Sequence, residues 1–211
     1  LVDSPLGPIP EGWRIADLGS VAEVNRRSRA PGKDEVIRYL DISALGERSV
    51  GPMALVKGEE APGRARRVVE AGDVVWAMVR PNRRAHALLV NPGPDWIAST
   101  GLAVLTASAV SSTWLFETTS TQEFTDFLVS QEGGAAYPAV RPKDFQRAPV
   151  VVPPEEVDRL FAERVAPRHR LSWTLRDESR SLACLRDLLL PKLVTGQIDV
   201  SSLDLDALVE G

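Results

Sequence analysis

The order of apolar and polar positions divides the chain into a region of short strands and a region of long helix. Up to about residue 153, short apolar runs alternate with turns rich in glycine, proline and aspartate, which is typical of β-structure. Residues 66–79 predict a pair of strands around a turn at Gly72 and Asp73. Further strands are expected at residues 36–43, 85–90, 96–100 and 102–107.

Two shorter segments have helical spacing. In residues 120–132 the apolar side chains recur on one face, and Ser120 or Thr121 can cap the N-terminus of the helix. Residues 17–24 predict one or two helical turns with Asp17 as the N-cap.

A long helix is predicted from Pro154 to about residue 190, with Pro191 closing it. Pro167 is expected to kink or interrupt this helix, because its ring clashes with the preceding turn. The second half carries leucines at the a and d positions of a heptad, with Glu178 at one intervening d. These leucines are Leu171, Leu175, Leu182, Leu185 and Leu189. The pattern predicts a coiled-coil seam, with packing on the chain's own domain as the alternative.

Strands followed by a long helix predict an α+β fold class. We expect a β-rich mixed globular domain over residues 1–153. The long C-terminal helix of coiled-coil type and a short tail then occupy residues 154–211.

Composition excludes several kinds of site. The chain has 211 residues, 44% of them hydrophobic, and one cysteine, Cys184, so neither an internal disulfide nor a cysteine-based zinc site is possible. Its two histidines, His86 and His169, lack the spacing of metal ligands. No run approaches the ~20 apolar residues of a membrane span. We therefore expect no metal, no cofactor and no membrane segment, and a cytoplasmic location by default.

The charge is unevenly distributed. The formal net charge of the chain is −4. Residues 64–84, however, contain six arginines and only two acidic residues, Glu70 and Asp73, which gives this segment a charge of +4. The six are Arg64, Arg66, Arg67, Arg80, Arg83 and Arg84. A basic patch on an acidic body suits a protein that binds a polyanion on one face. Scattered, solvated arginines are the alternative.

The end of the strand at residues 74–79 carries the most distinctive chemistry. Pro81 breaks the strand, and alternation along an extended chain would put Asn82, Arg84 and His86 on one side. We predict base or groove contacts for those three, because Arg can bind guanine and Asn adenine through two hydrogen bonds. Arg80 and Arg83 are expected to contact phosphates or to give internal support.

Three further groups are candidates for DNA contact. Arg64, Arg66 and Arg67 are expected to contact phosphates. Tyr137, Arg141 and Lys143 form a second cluster, with core packing as the alternative for Tyr137. Arg26, Arg27 and Arg29 form a third, for which a solvated loop is the alternative.

Motifs of catalysis are missing from the sequence. It has no glycine-rich nucleotide loop between strand and helix, no Walker motif, no G-x-S-x-G and no H-E-x-x-H. It also lacks the N-P-P-[FYW] or D-P-P-Y string of an S-adenosylmethionine-dependent base methyltransferase. We therefore expect no enzymatic activity.

Several strings, in order, resemble one family. "PLGPIPEGWRIADLGSVAEV", "RRVVEAGDVVWAMVRPNRRAHALL" and "IASTGLAVLTA" are similar to segments of a target-recognition domain from the specificity subunit of type I restriction–modification systems. "AYPAVRPKDFQRAPVVVPPEEVDRLFAERV" resembles the exit from that domain into the family's conserved helix, and "ESRSLACLRDLLLPKLVTGQIDV" the end of that helix. The resemblance extends over nearly the whole chain.

The resemblance implies sequence-specific DNA recognition without catalysis. A full subunit of this family has two recognition domains, each reading one half of a split site, and two antiparallel helices that set the gap. Its partners are double-stranded DNA, DNA adenine methyltransferase (modification) subunits and a restriction/translocase subunit. With one domain and one helix, this chain is expected to be half of a longer subunit or a half-size subunit that dimerises through its helix. The alternative function is a protein-interaction scaffold that uses the C-terminal helix and does not bind DNA.

Overall fold

The computed structural model describes residues 1–133 and 138–198. The chain forms two units, Leu1–Pro167 and a second that begins at Arg168. The functional division between residues 1–153 and 154–211 stays a prediction. Among the described residues, no helix combines the length and the apolar content that crossing a membrane requires.

Twelve strands lie within the described residues. They are β1 (Arg14–Asp17), β2 (Ala22–Val24), β3 (Val36–Leu40), β4 (Leu45–Gly46), β5 (Ser49–Val50), β6 (Ala54–Lys57), β7 (Ala65–Val68), β8 (Val74–Ala77), β9 (His86–Leu88), β10 (Trp96–Ser99), β11 (Leu102–Ala107) and β12 (Pro149–Val152). The α-helices are α1 (Ser112–Thr119), α2 (Gln122–Ser130), α3 (Pro142–Gln146) and α4 (Glu155–Val194). Short 3-10 helices occupy Leu18–Ser20, Ile42–Ala44 and Pro81–Arg83.

Two four-stranded sheets form the body of the first unit. The first sheet has the order β2-β11-β8-β9 and is antiparallel throughout. The second has the order β6-β3-β10-β7, with β3 and β10 parallel and the other pairs antiparallel. Two small antiparallel pairs, β1 with β12 and β4 with β5, complete the β-structure.

The main core lies between the first sheet and helices α1 to α3. Trp76 of β8 is fully buried and packs against Phe124 of α2 and Phe145 of α3, with ring centroids 5.7 and 6.5 Å apart. A smaller core of Ile37, Ala65 and Ile97 belongs to the second sheet. Burial of these side chains is the dominant stabilising term for the unit.

The predicted fold class and the predicted helix at residues 120–132 are confirmed. Helix α2 covers Gln122–Ser130, and the Thr121 side chain accepts a hydrogen bond from the amide of Phe124 at 3.2 Å. Helices α1 and α3 were not anticipated from the sequence. The β-rich unit followed by the long α4 is the expected α+β arrangement.

Three local predictions are corrected. The strands β7 and β8 do not pair across the turn at Gly72 and Asp73; each belongs to a different sheet. Residues 17–24 form a short 3-10 turn and strand β2, and the Asp17 side chain makes no capping hydrogen bond. The interruption expected as one outcome at Pro167 does not occur, and α4 continues past Pro191 to Val194, because a proline removes one amide donor without preventing the neighbouring turns from forming.

The five heptad leucines are all exposed in this chain. Their side chains retain between 42% (Leu189) and 65% (Leu182) of their accessible surface. Pairing with a second helix stays a prediction.

Candidate nucleic-acid interface

The segment after β8 is a compact turn. Arg80 and Arg84 both adopt the left-handed conformation, with φ of 52° and 53°, and Pro81–Arg83 between them form the 3-10 helix. The amide of Arg83 donates to the carbonyl of Arg80 at 2.9 Å, and that of Arg84 to the carbonyl of Pro81 at 2.8 Å. The alternation argument for Asn82, Arg84 and His86 is therefore corrected, because the backbone is not extended here.

The turn presents three polar side chains to solvent. Arg80, Asn82 and Arg83 are exposed, whereas Pro81 is buried and anchors the turn. Within residues 1–133 and 138–198, none of the three exposed side chains takes part in a hydrogen bond or an ion pair. Their donors are thus available to a ligand.

A cleft of about 750 Å³ joins this turn to the second sheet. Arg64, Arg80 and Arg83 line it together with Tyr39, Asp41 and Ser43, among others. The carbonyl of Arg64 accepts a hydrogen bond from the amide of Thr100 at 2.8 Å, which fixes the segment before β7 against the end of β10. The fold thus brings three predicted arginines from separate segments to one cavity.

The remaining arginines of the basic segment lie elsewhere. Arg66 and Arg67 belong to β7, are half-buried and do not line the cleft. The Arg66 guanidinium donates to the carbonyl of Ala65 at 2.9 Å. Burial lowers the pKa of Arg67, and its Nε is buried without a hydrogen-bond partner among the described residues. Phosphate contact by Arg66 and Arg67 stays a prediction, and neither their burial nor their position away from the cleft favours it.

The second predicted cluster adjoins the turn through the main chain. The amide of Arg80 donates to the carbonyl of Pro138 at 3.0 Å, and the amide of Val140 donates to the carbonyl of Met78 at 2.9 Å. Arg141 and Lys143, which follow directly, are exposed. Tyr137 lies outside the described residues.

Arg84 and His86 fix the turn through contacts with side chains and main chain inside the first unit. The Arg84 guanidinium donates to the carbonyl of Ser120 at 2.7 Å and to Oε1 of Gln122 at 2.6 Å. His86 is fully buried, and its ring stacks on Trp76 with centroids 4.3 Å apart. Its Nδ1 lies 2.7 Å from the carbonyl of Arg84, and burial lowers its pKa to about 4. The predicted base contact of His86 is therefore corrected to internal support, since its ring does not reach the surface.

The arginines near the start of the chain are neutralised by neighbours. Arg26 and Arg27 both pair with Glu70, the former at 2.8 Å, and Arg29 pairs with Glu35 at 2.6 Å. A hydrogen bond from Arg29 is the largest cause that lowers the pKa of Glu35 to about 2. These pairs favour the solvated-loop interpretation for this cluster.

Three further residues of the cleft, which were not among the predicted site residues, follow a regular spacing in the sequence. Tyr39, Asp41 and Ser43 follow one another at two-residue spacing at the end of a strand, which is the pattern of side chains sharing one face. In the structure all three line the cleft, and Asp41 caps the next 3-10 turn by accepting from the amide of Ser43 at 2.9 Å. The cleft lining therefore includes polar groups and one carboxylate besides the three arginines.

Similarity to known proteins is found at the level of the fold. No family model and no curated protein matches the sequence. A structure described as the HsdS subunit from Thermoanaerobacter tengcongensis matches with a TM-score of 0.67 and 28% identity, over 92% of this chain and 51% of that chain. A second structure, described under the words "structural basis underlying complex assembly and conformational transition of the type I R-M system", matches with a TM-score of 0.67 and 29% identity. The match covers 93% of this chain and 52% of that chain.

A more distant structure shares the fold. The type I restriction–modification system S subunit from M. genitalium matches with a TM-score of 0.55 and 9% identity, over 86% of this chain and 45% of that chain. This chain thus spans about half the length of the proteins it resembles. The resemblance predicted from the sequence is confirmed: the solved structures that this chain resembles are HsdS specificity subunits of type I restriction–modification systems.

Proposed function

We propose that this chain is a DNA-recognition component of a type I restriction–modification complex and reads one half of a bipartite site. The observation that carries the proposal is the meeting of Arg64, Arg80 and Arg83 at one cleft. These arginines have no acidic partner among the described residues, whereas those near the start of the chain do. A surface of uncompensated guanidinium groups favours a polyanion.

The side chains at the cleft are proposed to have two roles: some supply affinity for DNA and others select its sequence. Arg64 and Arg80 are proposed to contact phosphates, because they line the cleft and supply positive charge. Asn82 and Arg83, at the tip, are proposed to reach base edges, where Asn pairs with adenine and Arg with guanine. Arg141 and Lys143 extend the same basic face along the adjoining main chain.

Helix α4 is proposed to set the spacing between half-sites. Its exposed leucines would be covered by a second helix, either from another recognition half or from a second copy of this chain. The remaining partners would be DNA adenine methyltransferase subunits and a restriction/translocase subunit. Catalysis would belong to those subunits, and this chain would supply recognition.

Salt dependence tests the phosphate contacts. In the complex assembled with its methyltransferase subunits, log Kd for cognate duplex rises with log salt by about 0.9 for each neutralised phosphate. Arg80→Ala should therefore lower that slope by about 0.9. Lys33→Ala is the matched control, because Lys33 is exposed and precedes β3, while the cleft lies at the other end of that strand. Equal slopes for both variants and the parent would contradict the proposal.

Base reading is tested by substitutions that keep the charge. Arg83→Lys retains a cation but loses the two-pronged contact with guanine, so it should relax sequence choice at one position by about 1–3 kcal/mol. Sequencing of adenine methylation in a host that carries the variant would show the relaxed position of the split motif. An unchanged motif would exclude Arg83 as a base reader.

The alternative function is a protein-interaction scaffold. It is based on the exposed leucine face of α4, which could bind a protein partner whether or not the chain binds DNA. Under this reading the assembled complex would bind random duplex DNA at low salt equally well with or without the three cleft arginines. Loss of binding in the triple alanine variant would exclude it.

A further inference from the structure

We infer that Arg84 is a positioning residue that locks the DNA-facing turn onto the junction of α1 and α2, and that it does not itself contact DNA. The inference rests on the proposed function, because it concerns how the same turn is presented. It also changes the role of the residue, since the sequence pattern had pointed to a base contact.

All three guanidinium nitrogens of Arg84 face acceptors within the chain. Its two terminal nitrogens donate to the carbonyl of Ser120 at 2.7 Å and to Oε1 of Gln122 at 2.6 Å. Its Nε lies 3.0 Å from Oε1 of Glu47, an ion pair rather than a well-aligned hydrogen bond. Only 25% of the side chain is accessible. A base reader needs two parallel donors that can turn to the DNA, whereas both terminal nitrogens of Arg84 already donate to acceptors within the chain.

A second contact holds the backbone of the same residue. The carbonyl of Arg84 can only accept, so His86 Nδ1, 2.7 Å away, carries the hydrogen and donates it. Nε2 of that ring then faces Oγ of Ser120 at 2.9 Å. Arg84 is thus tied to Ser120 twice, directly through its side chain and indirectly through His86.

The turn needs such a lock because both of its ends are in an unfavourable backbone conformation. Left-handed φ values cost a non-glycine residue of order 1 kcal/mol or more and persist only where the surroundings enforce them. Arg80 is held by the hydrogen bond that its amide donates to the carbonyl of Pro138. Arg84 is held by its hydrogen bonds to Ser120 and its neighbours. Between these two fixed ends, Asn82 and Arg83 are presented in one conformation, which lowers the ordering cost of binding.

The salt dependence of DNA binding distinguishes a positioning role of Arg84 from direct contact with DNA. In the assembled complex, Arg84→Ala should weaken binding of cognate duplex by about tenfold, because the turn must then be ordered on binding. The slope of log Kd against log salt should stay that of the parent, because no phosphate contact is lost. A slope lower by about 0.9 would overturn the inference in favour of a phosphate contact.

Two further variants separate positioning from simple destabilisation. Arg84→Lys should not restore affinity, because a lysine cannot bridge Ser120, Gln122 and Glu47 with one point charge. Gln122→Ala removes one partner at an exposed position and should weaken binding less than Arg84→Ala, again at unchanged slope. If these variants lower only the melting temperature, and Kd measured well below it stays that of the parent, positioning is excluded.

The same experiment distinguishes failure of the inference from failure of the proposed function. Arg80→Ala, measured in parallel, reports on the DNA-facing role of the cleft itself. A normal slope for Arg80→Ala would refute the proposed function. A reduced slope for Arg80→Ala together with a reduced slope for Arg84→Ala would refute the inference alone.

Discussion

Burial of His86 should make the stability of the first unit depend on pH. The ring is fully buried against Trp76, and burial lowers its pKa from the ordinary 6.5 to about 4. Between these two values the unfolded chain binds a proton that the folded chain does not. The free energy of unfolding therefore falls as the pH is lowered from about 6.5 to about 4, and this residue causes no further loss below that.

The size of the effect follows from the two pKa values. One unit of pKa difference corresponds to about 1.4 kcal/mol, so the whole window accounts for about 3 kcal/mol. About 2 kcal/mol of this falls between about pH 7 and about pH 5. Against a total stability of about 5–15 kcal/mol, that loss is readily measured.

Urea unfolding of the full chain, followed by tryptophan fluorescence, is the assay, because four of the five tryptophans lie in the first unit. His86→Gln should remove the extra loss of about 2 kcal/mol. His169→Gln, which removes the only other histidine, should keep it. Burial raises the pKa of Asp73, but this group is common to all three proteins and cancels in the comparison. An identical pH dependence in all three would refute the argument.

Three further predictions concern stability. Thr121→Ala removes the cap of α2 and should cost about 1 kcal/mol in urea unfolding, whereas Thr118→Ala, a change at a half-buried position inside α1, should give no such loss. Gly58→Ala should cost about 1–3 kcal/mol and lower the melting temperature, because the new Cβ would lie 1.8 Å from the carbonyl oxygen of Gly32; an unchanged Tm would show that this approach is not tight. Leu182→Ala should change unfolding of the isolated chain by less than about 0.5 kcal/mol, since the side chain is 65% exposed, yet weaken self-association in sedimentation experiments if α4 pairs with a second copy.

Periodic features of the sequence were enough to predict the parts of the fold that depend on local contacts. The helical spacing around Phe124 and the Thr121 cap located α2, and the leucine heptads located α4. Both signals arise from side chains within one or two turns of each other, so they can be read without knowledge of the rest of the chain. The order of strands followed by a long helix predicted the α+β arrangement, and the family resemblance added the class of protein.

Pairing of distant segments could not be read in the same way. The turn at Gly72 and Asp73 has the chemistry of a hairpin, yet β7 pairs with β10 in one sheet and β8 pairs with β11 in the other. Local turn chemistry does not reveal which distant strand completes a ladder. The continuity of α4 through two prolines likewise depends on the many turns that surround them.

The sequence by itself determined that a cluster of arginines follows a buried strand, and hence that a polyanion is the expected ligand. Only the tertiary structure decided which members of that cluster are available. It gathers Arg64, Arg80 and Arg83 at one cleft, engages the guanidinium of Arg84 with Ser120 and Gln122, and buries His86. The physical reason is that a donor is available to DNA only if no internal acceptor already satisfies it, and those acceptors come from residues more than thirty positions away.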